Sequence, residues 1–146
     1  MQPNFLYHGS PYLFETLIPM PAKDNTQEGS QLAIYACEHF SHVIPFALPI
    51  RWHPDTPAGK RAFRCKYGIT TIEYGSLDPN AFGYVYKLQP SNFEKIDDWQ
   101  WISRAETTPV EVIKIAVKDY LHTVTFSDEA LRINDMLYSI LKELKK

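Results

Sequence analysis

The chain has 146 residues, a formal net charge of -2 and a pI near 6.2, with 45% hydrophobic and 22% charged residues. That size suits a single domain spanning 1–146 with a core that buries most of its unfolded surface, and the charge leaves no global basic field to hold a polyanion. The longest apolar patch, 43–50, carries two prolines and is far too short to span a bilayer. Met1-Gln2-Pro3-Asn4 lacks the basic start of a signal peptide. Cys37 and Cys65 sit in apolar segments without paired spacing, which reads as reduced core thiols of a soluble, cytoplasmic protein.

In chain order, residues 4–8 read as a buried strand that runs into His8-Gly9-Ser10. A proline-rich and then polar loop follows from Ser10 to Ser30, with Leu13, Phe14, Leu17 and Ile18 placed to pin its first half to the body. Leu32 to Ala36 is the second strand. Residues 38–48 read as a short helix that buries Phe40, Val43, Ile44 and Ala47, weakened by Pro45 and ended by Pro49.

After a plain loop at 53–59, residues 62–67 and 70–74 read as strands joined at Gly68. Tyr84 to Leu88 alternates as a sheet element does. Residues 93–96 and 99–103 follow, and Val110 to Val117 is the most β-like run. The tail, 127–145, reads as a packing helix: Ser127 suits the N-cap, Asp128 and Glu129 suit the first turn, and Leu131 through Leu144 supply an apolar stripe. Strands do not alternate regularly with helices, so the pattern predicts an α+β fold rather than a doubly wound sheet.

A few residues carry chemistry that a core does not need. Gly9 has no Cβ, so a flat ligand could lie against its backbone, bordered by His8 as a donor and by Tyr35 as an aromatic wall. Taken singly, His8 and Tyr35 each also fit an ordinary structural role. Cys37, His39 and His42 have no evident fourth ligand, which argues against zinc, and no metal is expected. Neither cysteine has the surroundings of a nucleophile, and no glycine-rich turn opens a helix as a phosphate loop would.

A strand ending Tyr7-His8-Gly9-Ser10, a loop, then Ile34-Tyr35-Ala36 leading to a small helix with Phe46-Ala47 resembles the ADP-ribosyltransferase-like fold. The likeness is to small bacterial members whose signature is His, Tyr and Glu on three strands. Gly83 to Leu88, Phe93-Glu94, Trp101-Ile102-Ser103 and Pro109 to Ile115 add to it, and the likeness covers a core of about 4–121. The resemblance implies two small, mostly antiparallel sheets around a cleft for NAD, and transfer of ADP-ribose to a protein, nucleic-acid or small-molecule acceptor. His8 would hold a ribose hydroxyl, Gly9 would grip the nicotinamide carboxamide with Ser10 beside it, and Tyr35 would stack on the ring.

The third position departs from the pattern, because Gln100 stands where the family has its glutamate. A neutral amide does little to stabilise the oxocarbenium-like cation formed as nicotinamide leaves or to take a proton, although it can still hydrogen-bond a ribose hydroxyl. Glu106 and Glu111 are the nearby acids that a shifted register would bring to that slot. Glu106 sits in a polar turn and reads first as a solvated loop acid, and Glu111 either faces solvent at an edge or points into the cleft. A catalytically degenerate nucleotide- or protein-binding module is the alternative. RNA 2'-phosphotransfer on a related fold would need a basic cluster at the cleft that this chain lacks.

Overall fold

The computed structural model describes residues 3–21, 32–54 and 56–134. Among them the fold is α+β with small, mostly antiparallel sheets, as the element pattern predicts. The central sheet has three strands: β1 (Leu6–Ser10), β8 (Phe82–Leu88) and β11 (Glu111–Ala116), in the order β1-β8-β11. A second sheet runs β2 (Met20–Pro21), β3 (Leu32–Ala36), β10 (Trp101–Ser103), β9 (Glu94–Lys95). A third joins β5 (Phe63–Lys66) to β6 (Ile69–Ile72), with β12 (Val124–Phe126) parallel to β6, and β4 (Arg51–Trp52) pairs with β7 (Gly75–Ser76).

Alternation along β1 divides the core in two. Leu6, with Tyr86 and Leu88 of β8, packs against Leu17, Ile34, Ala36, Phe93 and Trp101 of the second sheet and its loops. The opposite face, with Val85 and Ile115, packs under helix α1 (Phe40–Ala47) through Val43, Ile44 and Ala47. The helix rests directly on backbone. A Cβ on Gly9 would lie 2.2 Å from the carbonyl oxygen of Val43, and one on Gly83 would lie 1.8 Å from that of Ala47. Only glycine allows so close an approach.

Helix α1 is shorter than the expected 38–48. Pro45 has no N–H to offer the Ser41 carbonyl, one turn back. The β5–β6 turn fills the place beside that oxygen: a Cβ on Gly68 would lie 2.7 Å from it. Tyr67 and Gly68 both take positive φ, 48° and 84°, as a tight two-residue hairpin turn requires.

Several elements differ from expectation. The two-residue strands β2, β4 and β7 are too short for periodicity to reveal. The expected strands at 93–96 and 99–103 contract to β9 and β10, because Asp97 turns the chain between them. Val117 to Thr123 forms a 3-10 turn and leads into β12, an element absent from the sequence reading. Helix α2 (Asp128–Ile133) starts where expected: the Ser127 hydroxyl accepts from the Ala130 N–H at 3.1 Å and donates to the Glu73 carbonyl at 2.7 Å. The expected continuation to 145 lies outside the described residues. No described helix is long and apolar enough to cross a membrane.

Candidate functional site

The first and second sheets meet at one point and then part. Tyr7 and Cys37 exchange two backbone hydrogen bonds, of 2.8 and 2.9 Å, which join β1 to the end of β3. The peptide groups of Tyr7 thus face β3, and those of Gly9, two residues on, face the same edge. Among the described residues no strand pairs with Gly9 there. The pairing of β1 with β3 stops there, leaving a short split between the strands.

The His8 imidazole spans the split. Its Nδ1 lies 2.6 Å from the backbone oxygen of Tyr35, and since a carbonyl only accepts, Nδ1 carries the proton. Nε2 is left as the acceptor. Burial in apolar surroundings lowers the His8 pKa below its usual value, against the smaller raising effect of the Tyr35 carbonyl, so the neutral ring is favoured. The ring borders a cavity of about 50 Å³ whose other walls include Phe14, Leu17, Ile18, Met20 and Ile34. That volume holds a few waters and falls well short of the roughly 300–1,000 Å³ of a small-molecule pocket.

Tyr35 meets His8 through its carbonyl. Its neighbours Ile34 and Ala36 turn into the core, and Tyr35 is not among the residues that line the His8 cavity. The expected pair of rings bordering one hollow is therefore not the arrangement found. Ser10 is buried, and its hydroxyl accepts from the Tyr12 N–H at 3.1 Å, closing a local turn.

The three candidates for the acidic position lie apart from His8. Gln100 precedes β10, which pairs with the edge of β3 opposite β1. Its amide donates to Asp97 at 2.7 Å, and the same carboxylate accepts from the backbone N–H groups of Trp99 and Gln100. Gln100 thus closes an Asx-type turn. Glu111 stands opposite Lys87 in the row that includes Tyr7, on the α1 face of the central sheet, away from His8. Of its two expected placements, solvent is the one found. Glu106 is exposed, although its neighbour Thr107 pairs with Leu17 of the cavity wall through two backbone bonds and carries a buried hydroxyl with no partner.

Tyr86 was not among the expected site residues. It is fully buried, its ring centroid lies 6.0 Å from that of His8, and its hydroxyl accepts from the Phe14 N–H and donates to the Tyr12 carbonyl, both at 2.7 Å. One side chain thereby backs the histidine and ties down the loop over it. Its signal was a tyrosine at an inward position of an alternating strand, where a hydroxyl must find a partner.

Burial pushes the Cys37 thiol up to about 12, with Asp97, Cys65 and Glu38 adding to the effect, and burial also raises Cys65. Both are weak nucleophiles in that state. No group of three His, Cys, Asp or Glu side chains that could hold a metal ion occurs among the described residues. No protein-family model matches the chain, and no match is found among curated proteins or solved structures.

Proposed function

We propose that the chain is an ADP-ribosyltransferase-like module that binds NAD, or a related nucleotide, at the split beside His8 and lacks the carboxylate that rapid transfer needs. The observation that carries this reading is the pairing of a fixed acceptor with a free peptide edge. The Tyr35 carbonyl holds His8 in the tautomer whose Nε2 can accept from a ribose hydroxyl. Beside it, Gly9 offers one N–H and one C=O on an unpaired edge, the complement of a primary carboxamide. Binding requires the cavity to widen, which falls to the Ile18 and Met20 side of its wall.

Transfer is a different matter. No acidic side chain among the described residues lines the His8 cavity, and Gln100 is engaged with Asp97. A cation developing at the ribose would have no opposing charge there. The test is calorimetric titration with NAD, together with an assay for released nicotinamide. NAD should bind, His8→Ala should weaken binding by about tenfold, corresponding to about 1.4 kcal/mol, and nicotinamide should stay at background. Absence of NAD binding at millimolar concentration overturns the proposal. Rapid nicotinamide release would make the chain an active transferase, with its acid among the residues set aside above.

A further inference from the structure

The chain as a whole carries a small negative charge, but its cations are not spread evenly. Residues 60–67 hold Lys60, Arg61, Arg64 and Lys66 and no acid. They lead into and make up β5, an outer strand of its sheet. Arg64 stands opposite Thr71 and Lys66 opposite Ile69, while the alternate residues of β6, Thr70 and Ile72, are fully buried. Alternation thus aims both cations away from the core. All four cations are exposed. Glu73 accepts from the Arg64 Nε at 2.8 Å, and a guanidinium keeps further N–H donors beyond that bond.

The strand ends in an exposed ring. Tyr67 is 68% exposed, at a φ of 48° that asparagine or glycine adopts at lower cost. A large side chain kept at such a position and turned to solvent points to use rather than to packing. The Lys66 Nζ lies 5.7 Å from the Tyr67 ring centroid. The His42 ring lies 5.7 Å from Tyr67, and the His39 ring a further 4.8 Å from His42. Flat rings beside a run of cations match the two parts of a nucleic-acid single strand: bases, which stack, and phosphates, which need countercharge. An acidic polypeptide would match the cations and leave the rings unused.

We propose that the outer face of β5, with Tyr67 at its end, binds a single strand of nucleic acid. The surface lies apart from the His8 cavity. The β5–β6 turn meets α1 at Ser41, and α1 covers the face of the central sheet opposite His8. Binding here holds or fails independently of the nucleotide reading.

A short labelled single-stranded RNA, titrated with the full chain and read by fluorescence anisotropy at several salt concentrations, supplies the probe. The wild type should bind at low salt. The logarithm of its affinity should fall by about 2–3 per tenfold rise in salt, as three or four neutralised phosphates require. Lys60→Ala/Lys66→Ala should reduce that slope by about 1.4. Tyr67→Asn, which suits the positive φ, should weaken binding by about tenfold and leave the slope unchanged. Circular dichroism checks that each variant keeps its fold.

No binding at low salt, or binding that both variants leave unchanged, overturns the proposal. So does tight binding retained by Tyr67→Asn and lost by Lys60→Ala/Lys66→Ala, since the surface would then be a general anion patch. Polyglutamate of equal length that displaces the RNA as well as unlabelled RNA does would overturn it too, because the occupant would then be an acidic polypeptide.

Discussion

The two faces of β1 are closed in different ways. On the α1 face, main chain meets main chain: Gly9 lies against Val43 and Gly83 against Ala47, with no side chain between. On the His8 face, closure comes from a ring bonded to a carbonyl, a tyrosine hydroxyl tied to a loop, and apolar side chains that are half in solvent. The first kind of contact has no softer form into which it can relax, because packed backbone does not repack. The second can open by rotating side chains and releasing a few hydrogen bonds, and segments held so sparsely belong to the low-stability end of a fold. One strand thus supplies a fixed floor and, a residue away, an adaptable wall, and Gly9 serves both: its missing Cβ admits the helix while its peptide edge faces the split.

The comparison breaks most easily at Gly83. In Gly83→Ala the new Cβ would meet the Ala47 oxygen, and α1 would have to leave the sheet. The expected cost is about 3 kcal/mol or more, at the top of the overpacking range, read as a fall in the urea midpoint. A variant with the wild-type midpoint would show that the helix slides freely and that the floor is not fixed. Tyr86→Phe probes the other face. It strands the Phe14 N–H and the Tyr12 carbonyl, at about 1–3 kcal/mol if they stay buried. Hydrogen exchange should show faster exchange at Phe14 than in the wild type, while Val85, under the helix, keeps its protection. Equal loosening at both positions would mean that the two faces open as one unit.

The sequence made the helix side of this contrast easier to read than the split. Phe40, Val43, Ile44 and Ala47 announce α1 by spacing, and Ser127 announces α2 by its cap. The alternation of Tyr84, Tyr86 and Leu88 announces β8. These are local signals, carried by neighbours in the chain. The site depends on partners far apart: Tyr86 reaches Phe14 across 72 positions, and His8 reaches Tyr35 across 27. Nothing in either local sequence encodes that distance. The expected anchoring of the loop by Leu13, Phe14, Leu17 and Ile18 came out half right for the same reason. Phe14 and Leu17 turn inward, while Leu13 and Ile18 remain exposed, and an extended loop has no period to say which is which. Gln100 shows the converse, since its amide is satisfied within its own turn by Asp97, and resemblance alone pointed it toward the ribose.

The smallest expected effect is the most informative about the split, because it asks whether His8 is dry. Among the described residues, those that share its cavity or approach its ring are Phe14, Leu17, Ile18, Met20, Ala33, Ile34, Tyr86 and the Tyr35 carbonyl, and none of them carries a charge to balance an imidazolium. The folded protein therefore holds His8 neutral below the pH at which the unfolded chain would bind a proton. With a lowered folded-state pKa, the unfolded state binds more protons as the pH drops below about 6.5, so stability falls with pH in that window and the loss levels off once the folded-state pKa is passed. His8→Gln keeps a donor for the Tyr35 carbonyl and removes the titration. Its urea midpoint should fall less than that of the wild type between about pH 7 and about pH 5, which cancels the contribution of the other four histidines. Parallel curves would mean that water reaches the ring and solvates the cation in place. The split would then already be open in the absence of ligand, and the softer face of β1 would need no rearrangement to admit one.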